Sequence, residues 1–126
     1  VYESYGSRKL IHNMLRAYIS PSMGEHSIDG IFTSSDHLAT IVREELEEMG
    51  KRVPEDIQII GYDGLQFLNQ GKPIVSSIAQ PLHEIAKEAV RCLNELIANG
   101  KTEGNTKIPV SFQEGPTTKT LVTEEK

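Results

Sequence analysis

The sequence has no tryptophan and only one cysteine, Cys92, among its 126 residues. A single thiol cannot form a disulfide within the chain and cannot supply a thiolate metal site on its own. The four histidines show no i, i+4 pair of the kind that binds zinc on one helix face; they are His12, His26, His37 and His83. We therefore expect neither a bound metal nor any other cofactor.

The sequence also lacks a long apolar run and an excess of basic residues. No apolar stretch approaches the roughly 20 residues of a membrane span, and the N-terminus has no signal-peptide pattern, so no membrane partner is expected. Asp and Glu (18) outnumber Lys and Arg (13), which gives a formal net charge of −5. Duplex DNA binding depends mainly on basic side chains that contact phosphates, so we do not expect this chain itself to bind DNA.

Apolar residues occur in two alternating patterns along the chain. Apolar positions at three- and four-residue steps predict helices over residues 2–18, 38–49 and 81–99. Short apolar runs predict strands over residues 29–33, 57–61, 74–79 and 108–112. Strands separated by helical segments predict an α/β fold, a parallel sheet flanked by helices. The polar tail from Pro116 is expected to fray.

Residues with capping chemistry mark the predicted helix ends. Ser35 and Asp36 stand where an N-cap of the second helix belongs, and Gly50 stands at its C′ position. Pro81 suits the first turn of the last helix, which Gly100 closes.

Polar residues follow two of the predicted strands. Asp63 comes just after residues 57–61, and Ser35 and Asp36 come just after residues 29–33. In open parallel sheets, ligands bind in the crevice beyond the carboxyl ends of the strands, so these residues are expected to form one edge of a binding cleft. Because Asp-Gly is also a common turn pair, Asp63 has the alternative role of a turn former.

Four ordered motifs resemble one family of bacterial transcription regulators. Residues 29–39 read DGIFTSSDHLA, residues 50–63 read GKRVPEDIQIIGYD, residues 77–81 read SIAQP and residues 109–112 read PVSF. In this order and spacing they are similar to the effector-binding domain of the lactose-repressor/galactose-repressor family. The resemblance extends from about residue 5 to about residue 119.

The resemblance implies that residues 1–126 are the C-terminal portion of the effector domain, part of the C-terminal lobe of a periplasmic-binding-protein-like fold. The N-terminal lobe and the DNA-binding domain are absent from this chain, so operator DNA would be bound only through that missing domain. The implied effector is a sugar, a phosphosugar or a nucleoside/purine. The implied assembly is a homodimer, and the implied location is the cytoplasm.

The resemblance also implies four residues that contact the effector. Asp63 matches the family's acid after a Gly-aromatic pair, and Gln80 matches a glutamine at the lobe crossover, although Gln80 has the alternative of serving only the helix start. Ser35 falls where many members have asparagine, and Asp36 follows it. For Ser35 and Asp36, helix capping and ligand contact both remain open. A carboxylate can accept from two hydroxyls and an amide can both donate and accept, which suits a sugar.

Two other functions are alternatives to a transcription regulator. A periplasmic or secreted sugar-binding protein of a transporter shares the fold, and the VPED sequence at residues 53–56 favours the regulator. An enzyme is not expected, because the chain has no G-x-S-x-G elbow. Residues 35–37 read SDH, but neighbours in sequence are not a catalytic triad arranged in space.

The last predicted helix carries the clearest apolar stripe. Its members are Leu82, Ile85, Ala86, Ala89, Val90, Leu93, Leu96 and Ile97. The resemblance implies that this stripe packs on the missing N-terminal lobe. Without that lobe, we expect the helix to fold back on its own sheet or to pair with another chain.

Overall fold

The computed structural model describes residues 8–19, 28–65, 72–102 and 106–120. Within these ranges the helices are α1 (Arg8–Ile19), α2 (Asp36–Glu48) and α3 (Leu82–Asn99). The strands are β1 (Gly30–Phe32), β2 (Gln58–Asp63), β3 (Ser76–Ala79) and β4 (Ser111–Gln113). The predicted elements are thus present, with shifted ends. Residues 2–7 of the first predicted helix lie outside the described residues.

The four strands form one mixed sheet in the order β1-β2-β3-β4. The first three run parallel, with Ile31 opposite Ile59 and Gly61 opposite Ser77. β4 runs antiparallel to β3, with Phe112 opposite Ile78. The expectation of a parallel sheet is therefore correct for three strands and wrong for β4.

The path of the chain after α3 explains the direction of β4. The hydroxyl of Thr102 donates to Glu95, and that of Thr106 donates to Glu88, about two helical turns nearer the start of the helix. The chain therefore returns along α3 towards its N-terminus. It enters the sheet from the edge where β3 ended, and this makes β4 antiparallel.

The core lies between one face of the sheet and the helices α1 and α2. Its buried apolar members are Ile11, Leu15, Ala39, Val42, Leu46, Ile57, Ile59 and Val75. Burying one large aliphatic side chain of this kind contributes about 1.5–3 kcal/mol to stability. The apolar stripe of α2 packs against Ile59 of β2, and this packing holds the strand ends in place.

The helix ends follow the predicted capping chemistry with one shift. Ser35 is the N-cap of α2, and its Oγ accepts from the N–H of Leu38 at 3.2 Å. Gly50, with a φ of 77°, follows the C-cap, and Gly100, with a φ of 70°, ends α3. Pro81 precedes the first residue of α3 as its N-cap and is not inside the first turn.

The expectation that the chain frays from Pro116 is wrong for residues 116–120. Thr117 is fully buried, and its Oγ1 donates to the carbonyl of Ile59 at 2.7 Å. The same oxygen accepts from the N–H of Ser76 at 2.8 Å. The segment is ordered because it satisfies backbone groups of both β2 and β3.

Helix α3 has no buried residue. Its large exposed apolar side chains are Leu82, Ile85, Val90, Leu93, Leu96 and Ile97. The expectation that this helix folds back on its own sheet is therefore wrong. Pairing with another chain stays a prediction.

Candidate functional site

Asp63 and Gln80 meet at the carboxyl ends of β2 and β3. Asp63 is the last residue of β2 and lies opposite Ala79, so Gln80 directly follows the neighbouring strand. The side-chain amide of Gln80 donates from Nε2 to Asp63 Oδ1 at 2.7 Å, and its backbone N–H donates to the Asp63 carbonyl at 3.2 Å. The fold therefore brings together two residues that lie 17 positions apart in the sequence.

The pair retains capacity for a ligand. Both residues are half-buried, so they remain open to solvent. Among the described residues, Asp63 Oδ2 has no hydrogen-bond partner, and a carboxylate offers about four acceptor positions in all. The Gln80 carbonyl oxygen is a further acceptor. The pair can therefore receive several hydroxyl hydrogens at one point of the edge.

Asp63 has an uncommon backbone conformation. Within the described ranges it is the one non-glycine residue with a positive φ, at 108°. Such conformations cost on the order of 1–3 kcal/mol and persist where the surrounding structure enforces them. Gly64 follows with a φ of 72°, and a Cβ there would lie 2.5 Å from the Cβ of Ala79. The turn role of Asp63 and its position at the site are therefore compatible, because the turn sets the direction of the carboxylate.

Asp36 lies beneath this edge and faces the interior. It is the first residue of α2 and is only 7% exposed. Its Oδ1 accepts from Ser77 Oγ at 2.5 Å, and its Oδ2 accepts from the N–H of Leu65 at 3.1 Å. Of the two roles left open for Asp36, helix capping is wrong, because Ser35 is the N-cap. Contact with a ligand stays a prediction.

Ser35 performs the capping role and lies near the same edge. Its Oγ accepts from the N–H of Leu38, and its carbonyl accepts from Thr33 Oγ1 at 2.9 Å. The side chain is half-buried. Because capping uses the oxygen as an acceptor, the hydroxyl hydrogen can still donate to a ligand. Its contact with a ligand stays a prediction.

Sequence reasoning missed Ser77 and Gly61 as members of this region. Ser77 is fully buried in β3, where it donates to Asp36 and accepts from the N–H of Gly64 at 3.1 Å. A Cβ on Gly61 would lie 2.4 Å from Asp36 Oδ1. The available signal was Ser77 itself, because a hydroxyl in a buried strand must find a hydrogen-bond partner.

A second polar cluster joins α1 to α2 away from this edge. Glu45 has a side chain only 4% exposed, and it lies 2.7 Å from His12 Nδ1 and 2.6 Å from Arg8 Nε. These hydrogen bonds, from His12 first and Arg8 second, hold the pKa of Glu45 below its ordinary value. The cluster fastens the two helices together.

The described part of the chain contains no group of three or more His, Cys, Asp or Glu residues that could hold a metal ion. In the same ranges, no helix combines the length and the apolar character needed to cross a membrane.

The family comparison matches nearly the whole chain. Residues 2–118 fit the family described as a periplasmic binding protein-like domain. The chain belongs to this family. In open parallel sheets, ligands bind in the crevice beyond the carboxyl ends of the strands, and Asp63 and Gln80 lie at two such ends.

Named relatives of this periplasmic binding protein-like domain are regulators. The ribose operon repressor of Halalkalibacterium halodurans is 39% identical over 67 residues, which are 53% of this chain and 20% of the repressor. A LacI family transcriptional regulator from Arthrobacter sp. FB24, solved in complex with lactose, has a TM-score of 0.68 and 30% identity. The alignment covers 89% of this chain and 41% of that one.

A third relative is a LacI family transcriptional regulator from Enterococcus faecium, solved with bound ribose. It has a TM-score of 0.64 and 31% identity, over 90% of this chain and 41% of that one. The present chain thus spans a fifth of the ribose operon repressor and about two fifths of each solved regulator. The resemblance of its motifs to the lactose-repressor family is confirmed, and these relatives are a repressor and transcriptional regulators.

Proposed function

We propose that this chain is the C-terminal, effector-sensing portion of a DNA-binding transcription regulator, a repressor that responds to a sugar. The observation that carries the proposal is the Asp63–Gln80 pair at the carboxyl edge of the parallel strands. The sugar-operon repressors among the relatives support the same function.

A neutral sugar suits the chemistry of this edge better than a phosphorylated one. Asp63 accepts from hydroxyls, Gln80 adds an amide carbonyl, and Ser35 adds a hydroxyl donor. Hydrogen bonds to a charged group contribute about 1.5–3 kcal/mol each, enough for recognition without a metal. Among the described residues, the hydrogen-bonded groups at this edge include no Lys or Arg, which are the usual partners of a phosphate.

Gln80 connects the proposed ligand site to α3. Its side chain bonds Asp63, and the next residue, Pro81, is the N-cap of the helix. A ligand that engages this pair therefore acts at the start of α3. It shifts the equilibrium between open and closed lobes by the difference in its affinity for the two states.

The proposal extends to the partners of the full-length protein. Operator DNA is bound by an N-terminal domain outside this chain, the regulator is a homodimer, and it works in the cytoplasm. The acidic charge of −5 on this chain supports a DNA contact located elsewhere.

A ligand panel on the full-length protein tests the proposed effector class. Thermal unfolding is followed with ribose, lactose, ribose 5-phosphate and adenosine. A ligand at about 100 times its dissociation constant adds roughly 2.7 kcal/mol to the free energy of unfolding. We expect a neutral sugar to protect the protein from thermal unfolding. The same sugar should change the affinity for operator DNA, by weakening it for an inducer or strengthening it for a corepressor. Protection by the phosphosugar or the nucleoside alone would reassign the effector, and protection without any DNA binding would favour a transporter's binding protein.

A further inference from the structure

Asp36 and Ser77 form a buried pair that accepts hydrogen bonds from the backbone directly after Asp63. Ser77 Oγ donates to Asp36 Oδ1 at 2.5 Å and accepts from the N–H of Gly64 at 3.1 Å. Asp36 Oδ2 accepts from the N–H of Leu65 at 3.1 Å. The two consecutive N–H groups after Asp63 are therefore both held by one carboxylate–hydroxyl pair, which joins α2, β3 and the turn after β2.

The pair is buried, and its hydrogen bonds are internal. Asp36 is 7% exposed and Ser77 is 0% exposed. Gly61 passes directly against the carboxylate, since a Cβ on residue 61 would lie 2.4 Å from Asp36 Oδ1 and 3.2 Å from Asp36 Cα. Each oxygen of Asp36 accepts a hydrogen bond from inside the protein. A sugar hydroxyl at the edge can reach Asp63, but it cannot displace these internal bonds without opening the turn.

We propose that Asp36 and Ser77 are positioning residues that hold Asp63 in its ligand-accepting geometry. This inference rests on the proposed function of Asp63 as an effector contact. The φ of 108° at Asp63 is unfavourable for an L-residue, so it persists only while its surroundings enforce it. The bonds to Gly64 and Leu65 supply that enforcement from the C-terminal side. The bonds from Gln80 to the carbonyl and Oδ1 of Asp63 supply it from the neighbouring strand.

The consequence is a site that is organised before the ligand arrives. A contact fixed in advance costs less conformational entropy on binding than one that must be ordered by the ligand. Asp36 and Ser77 therefore influence affinity without touching the effector. Releasing the turn lets Asp63 relax to a negative φ, which turns its carboxylate away from Gln80.

Ser76 offers a matched control for Ser77. Both serines are fully buried in β3. Ser76 Oγ bonds the backbone of Gly115 and the hydroxyl of Thr118, on the side of the C-terminal segment. Ser76→Ala and Ser77→Ala thus remove the same hydroxyl from the same strand at the same burial. Only Ser77→Ala frees the turn after Asp63.

The test measures two properties of the full-length protein: its dissociation constant for ribose, and the NMR resonances of the Gln80 side-chain amide without ligand. We expect Ser77→Ala to weaken ribose binding about fivefold, the effect of one hydrogen bond, and to shift the Gln80 amide. Ser76→Ala is expected to move neither. In a protein that already carries Asp63→Ala, Ser77→Ala should cause no further loss of affinity, because both changes act through the same carboxylate.

Three results would separate the possible failures. An unchanged Gln80 amide in Ser77→Ala overturns the positioning role. Additive losses from Ser77→Ala and Asp63→Ala also overturn it, since Ser77 would then act independently of Asp63. The proposed ribose site fails if ribose binds Asp63→Ala as tightly as it binds wild type, or if ribose binds neither of these two proteins. A shifted Gln80 amide in Ser77→Ala would still support the positioning of Asp63 in that case.

Asp36→Asn provides a second variant for the same test. It keeps the size of the side chain but places an amide against Ser77 or Leu65, where a carboxylate oxygen now accepts. We expect the same shift of the Gln80 amide and a loss of ribose affinity that disappears in the Asp63→Ala background. Affinity and amide resonances equal to wild type in correctly folded Asp36→Asn would contradict the proposal.

Discussion

The backbone of Gly61 passes so close to Asp36 that no side chain fits between them. A Cβ on residue 61 would lie 2.4 Å from Asp36 Oδ1, 3.2 Å from Asp36 Cα and 3.3 Å from the Cβ of Ala39. The buried carboxylate and the glycine in β2 are therefore one structural unit. The glycine of the GYD motif is required because α2 packs directly against it. The turn that follows the motif does not require it.

Gly61→Ala should destabilise the protein through this contact. The new methyl group must displace helix backbone or the buried carboxylate, and overpacking of this kind costs about 1–3 kcal/mol. Gly30→Ala is the matched control, since a Cβ on this other strand glycine meets nothing within 4 Å. Urea unfolding of the full-length protein measures both. Equal midpoints for the two variants would mean that α2 yields freely at Asp36.

Thr117→Val should reveal how firmly the C-terminal segment is bound to the sheet. The change keeps the volume but leaves the carbonyl of Ile59 and the N–H of Ser76 without their buried partner. Each unpaired buried group costs about 1–3 kcal/mol. Thr120→Val is the control, because the Thr120 hydroxyl bonds only the exposed Glu114 side chain. The prediction fails if the free energies of unfolding of the two variants agree.

The stability contributed by Glu45 should depend on pH. Its pKa in the folded protein lies below the ordinary value of 4.5, because His12 and Arg8 donate to the carboxylate. A depressed carboxyl pKa gives stability that is present above the unfolded pKa and is lost as the pH falls through the folded pKa. The gap between wild type and Glu45→Gln should thus be full at pH 6 and shrink below about pH 4.

Glu48→Gln serves as the control for Glu45→Gln. Glu48 Oε1 lies 3.6 Å from a guanidinium nitrogen of the same Arg8, but the Glu48 side chain is 66% exposed and the Arg8 side chain is 50% exposed. Exposed ion pairs contribute little to stability. Denaturant unfolding at several pH values should therefore show a clear pH-dependent effect for Glu45→Gln and almost none for Glu48→Gln. A Glu45→Gln effect that is constant from pH 3.5 to 7 would contradict the account.

The sequence was sufficient to predict the helices and strands and the polar groups at the carboxyl ends of the strands, because both depend on local patterns. Apolar periodicity predicted all the helices and strands found among the described residues, and the strand-end position of Asp63 predicted where polar groups would gather. The pairing of Asp63 with Gln80 was not predicted, because it depends on β2 and β3 being neighbours in the sheet.

The remaining features depend on contacts between distant residues. The direction of β4 follows from the return of the chain along α3, which no local pattern encodes. Thr117 looked like part of a polar tail, although its hydroxyl bonds β2 and β3. The hydrogen bond between Asp36 and Ser77 was not predicted, because the two residues lie 41 positions apart in the sequence.

The most direct test of the proposed sugar site is calorimetric titration of ribose into the full-length protein and two aspartate variants. Asp63→Ala removes the carboxylate at the carboxyl edge, and Asp29→Ala removes an exposed carboxylate at the opposite edge, directly before β1. We expect Asp63→Ala to weaken binding about 10- to 150-fold, the effect of one charge-assisted contact, and Asp29→Ala to bind like wild type. Equal affinities for wild type and Asp63→Ala would show that the Asp63–Gln80 edge does not bind the sugar.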